Sequence, residues 1–69
     1  MNTQIIAERI KELRNEYHLS QEKLGDMLAV SQDTISLWEN NKALPSIEYI
    51  IVMCNIFEVT ADYLLGLKD

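Results

Sequence analysis

The link between two predicted helices restricts the fold more than any other feature of this sequence. Apolar residues at helical spacing predict one short helix from Ser20 to about Leu28 and another over residues 32–40. Only residues 29–31 connect them. A link this short sets two helices at a steep angle more easily than it reverses the chain into a long antiparallel hairpin. The sequence therefore predicts a helix-turn-helix arrangement.

Gly25 agrees with this arrangement. Glycine inside a helix costs about 1 kcal/mol relative to alanine, which is reasonable where another helix must approach closely. Val30 and Ile35 are expected to close the inside of the turn.

The rest of the chain also shows helical signals, and no alternating stretch is typical of a strand. A first helix is predicted over residues 3–17, a fourth up to about Phe57 and a short fifth ending near Gly66. A serine or threonine precedes each helix as a possible cap: Thr3, Ser20, Ser31, Ser46 and Thr60. We expect one compact all-α domain of five helices over residues 1–69, with the helix-turn-helix at about 20–40.

Composition excludes several classes of protein. The net charge of −5 and the pI of about 4.6 argue against indiscriminate binding of nucleic acid. A single cysteine excludes an internal disulfide and fits a reducing compartment. The first residues do not resemble a signal peptide, and the longest apolar run, residues 50–54, is too short to span a bilayer. We expect a soluble, cytoplasmic protein without a membrane partner.

No catalytic pattern is visible. The sequence has no nucleophile and base at a readable spacing, no glycine-rich phosphate loop and no paired catalytic carboxylates. His18 has no second histidine or cysteine nearby, which argues against a metal site. We expect no enzyme, no cofactor, no metal and no small-molecule ligand.

The outer face of the third predicted helix carries polar groups that suit DNA. Ile35 and Trp38 share the face that we assign to the core, and the opposite face holds amide, hydroxyl, carboxylate and apolar side chains. An α-helix fits the major groove, where base edges are read by these chemical groups. The face is either solvated or reads bases.

Several longer stretches resemble a known family. The segments "LSQEKL", "VSQDTISLWEN", "LPS" and "VTADYLLG" together resemble the phage-repressor and Cro-type, or Xre-like, helix-turn-helix family, and the likeness extends over residues 6–66. The resemblance implies five helices and sequence-specific binding to duplex DNA as a transcription regulator. It also implies that the recognition helix, residues 32–40, lies in the major groove.

The resemblance assigns roles to individual residues. The positions that match base contacts are Gln32, Asp33, Ser36 and Leu37, and those that match phosphate contacts are Gln21, Lys23, Asn40 and Lys42. Gln32 would bond to adenine N6 and N7, and Leu37 would touch a thymine methyl group. Asp33 either accepts from a cytosine amine or only complements the helix dipole. Plain solvation is the alternative for the two glutamines.

The chain departs from the family pattern in the turn. The family has alanine early in the second helix and glycine in the turn, whereas here Gly25 and Ala29 exchange those roles. Either Ala29 is left-handed, at a cost of about 1 kcal/mol or more, or the turn has a different backbone. Asn41 replaces the glycine that is usual after the recognition helix, and asparagine tolerates the left-handed region.

A structural ion pair is also implied. Arg14 matches a family arginine that pairs, partly buried, with the glutamate after the recognition-helix tryptophan, here Glu39. Bidentate geometry would make this pair stronger than an ordinary surface pair. The alternative is two unrelated surface charges.

The fourth predicted helix is apolar on nearly all sides, which indicates burial on two sides. Its expected inward set is Ile47, Ile50, Ile51, Cys54 and Phe57, and its spare apolar residues are Tyr49, Val52, Met53 and Ile56. We expect a homodimer on a two-fold operator, with a dimer patch of Tyr49, Val52, Ile56 and Leu67. The family more often pairs through the fifth helix.

A second function remains open at the level of sequence. Residues 20–44 carry two lysines against four carboxylates, which is an unusual charge for a DNA-facing surface. The alternative function is a protein-interaction module on the same fold, with weak or no DNA binding.

Overall fold

The structure is a computed structural model that describes residues 2–68. Within this range the chain forms only helices, which confirms the predicted all-α fold of five helices. They are α1 (Gln4–Glu16), α2 (Gln21–Leu28), α3 (Gln32–Glu39), α4 (Ile47–Phe57) and α5 (Ala61–Leu64). None of these helices is long and apolar enough to cross a membrane.

Three of the five predicted caps form. The hydroxyls of Ser20, Ser31 and Thr60 each accept a hydrogen bond from a backbone N–H in the first turn of the following helix. The predicted cap at Thr3 is wrong because its backbone is already helical (φ −74°, ψ −13°), whereas a cap needs an extended backbone. Asn2 Oδ1 accepts from the backbone N–H of Gln4 instead, at 3.0 Å. Ser46 is extended but makes no side-chain cap bond.

One hydrophobic core holds the helices together. It consists of Ile6, Ile10, Leu13, Leu24, Leu28, Ile35, Trp38, Ile50, Met53, Phe57 and Leu64. Trp38 also contacts the ring of Tyr49, with the ring centroids 5.3 Å apart. α3 therefore rests on the core through Ile35 and Trp38, as the sequence predicts.

The predicted inward face of α4 is partly wrong. Met53 is fully buried, whereas Ile47 and Ile51 are 62% and 55% exposed. Cys54 is half-buried, and burial raises the pKa of its thiol. Two helical registers, one through Ile51 and one through Met53, both contain Ile50 and Phe57. Because α4 is apolar on nearly all sides, its periodicity does not distinguish between them.

Because a different side of α4 is buried from the one predicted, the predicted dimer patch changes as well. Tyr49 and Ile56 are partly buried against the core and are not spare surface. Val52 and Leu67 remain exposed. The exposed apolar face of α4 therefore consists of Ile47, Ile51 and Val52.

The turn between α2 and α3 has a left-handed residue at Ala29 (φ 59°, ψ 39°), the first of the two predicted alternatives. The backbone N–H of Val30 donates to Gly25 O at 2.9 Å and closes the turn. A Cβ atom at Gly25 would lie 2.7 Å from Val30 O. The close neighbour that requires glycine is thus the backbone of the turn rather than the body of another helix. Asn41, after α3, is left-handed as well (φ 55°).

Candidate nucleic-acid interface

α3 presents a polar and partly apolar face away from the core. Gln32, Asp33 and Leu37 are exposed, and Ser36 is half-buried. The side chain of Leu37 is 44% exposed. The four predicted base-contact residues therefore share the solvent side of α3, where they are accessible to a ligand.

A hydrogen-bonded network of three helices fixes the orientation of α3. Arg14 Nε donates to Glu39 Oε2 at 2.7 Å, and Arg14 Nη2 donates to Glu39 Oε1 at 3.0 Å. The side chains of Arg14 and Glu39 are only 11% and 3% exposed. The hydrogen bond with Glu39 raises the pKa of Arg14. The pair is therefore bidentate and largely buried, and it ties the end of α3 to α1.

Gln21 joins this network, a contact that the sequence does not predict. Its Nε2 atom donates to Glu39 Oε1 at 3.1 Å. Arg14 Nη1 also donates to Leu19 O at 2.8 Å, so the segment before α2 is attached to the same arginine. No local pattern links Gln21 to Glu39, because the two residues meet only after three helices have packed.

The predicted phosphate-contact residues lie around α2 and α3. Gln21 is the first residue of α2, so its backbone N–H lies where helices bind anions. Lys23 and Lys42 are exposed. The backbone N–H of Lys42 donates to Leu37 O at 2.9 Å, which holds the segment after α3 against the helix. One hydrogen of the Gln21 side-chain amide is bonded to Glu39, and the second is available to a phosphate.

Asn40 is exposed, but its amide faces the helix. Asn40 Nδ2 donates to Ser36 O at 2.9 Å and to Ser36 Oγ at 3.2 Å. A phosphate contact from this amide would compete with these two hydrogen bonds. The predicted role of Asn40 therefore conflicts with its hydrogen bonds in the free chain.

The charge around α2 and α3 is modest. The ion pair with Arg14 removes Glu39 from the exposed charge. The exposed charges of the segment 20–44 are then two lysines and three carboxylates, Glu22, Asp26 and Asp33. Such a surface lacks the broad positive field of nonspecific DNA-binding proteins, so any DNA affinity must come from specific contacts.

Two short helices joined by a tight left-handed turn, with the second helix exposed on one side, define a helix-turn-helix domain. The sequence profile of the helix-turn-helix family matches residues 10–64. The chain belongs to this family. Among the residues that the structure describes, no group of histidine, cysteine, aspartate or glutamate side chains is arranged to hold a metal ion.

Curated relatives are regulators of transcription. Repressor protein C2 of Salmonella phage P22 is 37% identical over 65 residues, which cover 94% of this chain and 30% of the repressor. The HTH-type transcriptional activator BcrR of Enterococcus faecalis is 40% identical over 59 residues, which cover 86% of this chain and 29% of the activator. The chain thus spans about 30% of the length of these relatives.

Solved structures agree with the fold. The crystal structure of the P22 c2 repressor in complex with a synthetic operator has a TM-score of 0.81 and 33% identity, covering 87% of this chain and 91% of that one. The solution structure of the DNA-binding domain of the same repressor also has a TM-score of 0.81, with 37% identity over 94% of this chain and 86% of that one.

Proposed function

We propose that this chain is a sequence-specific DNA-binding transcription regulator that places α3 in the major groove of duplex DNA. The observation that carries the proposal is the two-sided arrangement of α3. Ile35 and Trp38 fix it on the core, while Gln32, Asp33 and Leu37 are exposed. The similarity to the P22 c2 repressor, which was solved with operator DNA, supports the same use of the fold.

The base contacts follow from the chemistry of the exposed side chains. The Gln32 amide matches adenine N6 and N7, and the apolar Leu37 matches a thymine methyl group. Asp33 accepts from cytosine N4, because a carboxylate without such a donor would be repelled by the phosphates. Ser36 lies between them on the same side of the helix.

The phosphate contacts come from the segments that flank α3. The N-terminus of α2 binds a phosphate through the backbone N–H and the second amide hydrogen of Gln21. Lys23 and Lys42 supply the positive charge. The protein acts by binding rather than by catalysis, and we place it in the cytoplasm, where it meets DNA.

We further propose that two copies bind a two-fold operator. One recognition helix contacts only a few base pairs, and two exposed lysines provide little phosphate attraction. Pairing doubles the contacts and places the two recognition helices about 34 Å apart. The dimer patch that we propose is the exposed apolar set of α4, Ile47, Ile51 and Val52, and Leu67 is a further exposed apolar residue.

Relatives of this chain regulate transcription in both directions. One relative is a repressor and another is an activator.

A selection from random duplex DNA at low salt tests the proposed function. We expect enrichment of a short sequence, repeated with two-fold symmetry, and loss of binding to it in Leu37→Glu. This variant adds a carboxylate on the exposed side of α3 and leaves the core unchanged. Loss of binding in Leu37→Glu would therefore show that DNA contacts this side of α3 and not another surface of the protein. A wild-type protein that enriches no sequence and shifts no duplex would contradict the proposal. It would favour instead the protein-interaction module that the acidic charge suggests.

A further inference from the structure

The amide of Asn40 determines how the hydroxyl of Ser36 is used. Asn40 Nδ2 lies 2.9 Å from Ser36 O and 3.2 Å from Ser36 Oγ. A backbone carbonyl can only accept a hydrogen bond, so the amide atom that faces it must be the nitrogen. The orientation of this amide is thus set by its partners.

The direction of the second bond follows. An amide nitrogen donates and does not accept, so Ser36 Oγ must be the acceptor from Asn40. The hydroxyl hydrogen of Ser36 then points elsewhere. A serine inside a helix often donates to the carbonyl four residues earlier, but within residues 2–68 Ser36 donates to no protein acceptor.

We propose that Asn40 is a positioning residue that makes Ser36 a hydrogen-bond donor toward the major groove. Ser36 then selects a base that presents an acceptor: guanine through N7 or O6, adenine through N7, or thymine through O4. It disfavours cytosine, because a bond from the cytosine N4 amine would leave the hydroxyl hydrogen of Ser36 without an acceptor. The inference rests on the proposed function, and it replaces the phosphate contact predicted for Asn40.

The inference assigns opposite preferences to two neighbouring side chains. Asp33 lies one turn before Ser36 on the exposed side of α3 and can only accept hydrogen bonds when ionised. Asp33 favours a donor on the base edge, and Ser36 favours an acceptor. The bond to Asn40 creates this difference, because it occupies one of the two lone pairs of the hydroxyl. A second donor would take the remaining lone pair and leave the hydroxyl hydrogen without an acceptor, whereas a base acceptor satisfies that hydrogen.

The test compares base preference, not affinity alone. Dissociation constants are measured at fixed salt for the selected site and for its three single-base variants at each position. The proteins are the wild type, Ser36→Ala, Asn40→Ala, the double variant and Asn55→Ala. Asn55 is an exposed asparagine on α4, so Asn55→Ala is the matched control.

We expect Ser36→Ala to lose about fivefold discrimination against cytosine at one position. Asn40→Ala should lose the same preference at the same position, and the double variant should lose no more than either single variant. Asn55→Ala should keep the full preference. Asn40→Asp, of the same size but unable to donate to Ser36 O, should lose the preference even if added charge weakens binding to every sequence. This variant replaces Asn40→Ala if that protein does not fold.

Two results would overturn the inference while leaving the proposed function intact. One is an Asn40→Ala protein that keeps its discrimination at the Ser36 position. The other is an Asn40→Ala protein that binds all sequences more weakly by one common factor, which would show that Asn40 contacts a phosphate. A wild-type protein that binds no duplex at all would overturn the proposed function, and the inference with it.

Discussion

Ala29 occupies the left-handed region of backbone conformation in the turn between α2 and α3. A residue with a Cβ atom pays about 1–2 kcal/mol in this region, and glycine does not. The chain therefore carries a local conformational cost in this turn.

We expect Ala29→Gly to stabilise the protein. Relief of the left-handed strain should exceed the extra entropy of glycine in the unfolded chain, and the free energy of unfolding should rise by up to about 1 kcal/mol. Chemical denaturation measures the change. Ala43→Gly is the matched control because Ala43 is exposed and is not left-handed. It should destabilise slightly, so a change of the same sign in both variants would contradict the explanation.

Gln32 is the residue whose loss should change DNA recognition most directly. It opens α3 and is exposed. Gln32→Ala should weaken binding to the selected site by about 1–3 kcal/mol and relax the preference at one base pair. Gln4→Ala, an exposed glutamine at the start of α1, is the control. If Gln32→Ala binds with unchanged affinity and unchanged base preference, Gln32 does not read DNA.

At the scale of the helices, the packing of α1, α2 and α3 against one another depends on the hydrogen-bonded network of Arg14, Gln21 and Glu39. Removing one partner of a buried ion pair leaves the other charge without compensation. We expect Arg14→Met and Glu39→Gln each to lower the free energy of unfolding by about 3 kcal/mol. Glu12→Gln, at an exposed position of α1, is the charge-matched control and should change stability little. Equal melting temperatures for all three variants and the wild type would show that the pair is superficial.

The register of α4 gives a second test at this scale. Met53 is fully buried and Ile51 is 55% exposed, although the two side chains are similar in size. Met53→Ala should cost about 2–5 kcal/mol because it leaves a cavity in the core. Ile51→Ala should cost much less, because its side chain is largely solvated in the folded chain. A larger loss in Ile51→Ala, measured by denaturation, would restore the register that the sequence pattern favoured.

Helix positions are predictable here because capping residues and apolar spacing act locally. Ser20, Ser31 and Thr60 cap α2, α3 and α5, and Ile35 and Trp38 face the core as their spacing indicates. The face of α4 is not predictable in this way, because nearly every side of the helix is apolar and the contacts with other helices decide which side is buried.

The candidate site also has one part that the sequence predicts and one part that it does not. The exposed residues of α3 follow from the position of Trp38 and Ile35, whereas the partners of Gln21 and Asn40 do not follow from the sequence. Gln21 bonds to Glu39 across the packed helices, and Asn40 turns its amide inward toward Ser36. Both contacts depend on side-chain geometry, so a sequence pattern shows only that the residues are polar and near the helix ends.

At the scale of the whole molecule, charge and size limit how the chain binds DNA. The net charge is −5, and the chain has 69 residues. A protein that neutralises few phosphates gains little from counterion release, so its affinity depends on base contacts and on pairing. The exposed side of α4 offers the apolar side chains of Ile47, Ile51 and Val52 for such pairing, and the exposed Glu48 and Asn55 lie on the same side of the helix.

The last prediction concerns this pairing. In sedimentation experiments with a selected palindromic site we expect two copies per duplex, and weaker association or none without DNA, because a patch of three or four side chains is small. Ile51→Lys places a charge in the patch and should abolish the second copy on the palindrome while leaving half-site binding intact. Met27→Lys, an equally charged change at an exposed apolar position of α2, is the control. A wild type that stays monomeric and binds half-sites as tightly as palindromes would contradict the dimer. If Ile51→Lys still pairs like the wild type, the interface must lie elsewhere, and Leu67 beyond α5 is the next position to change.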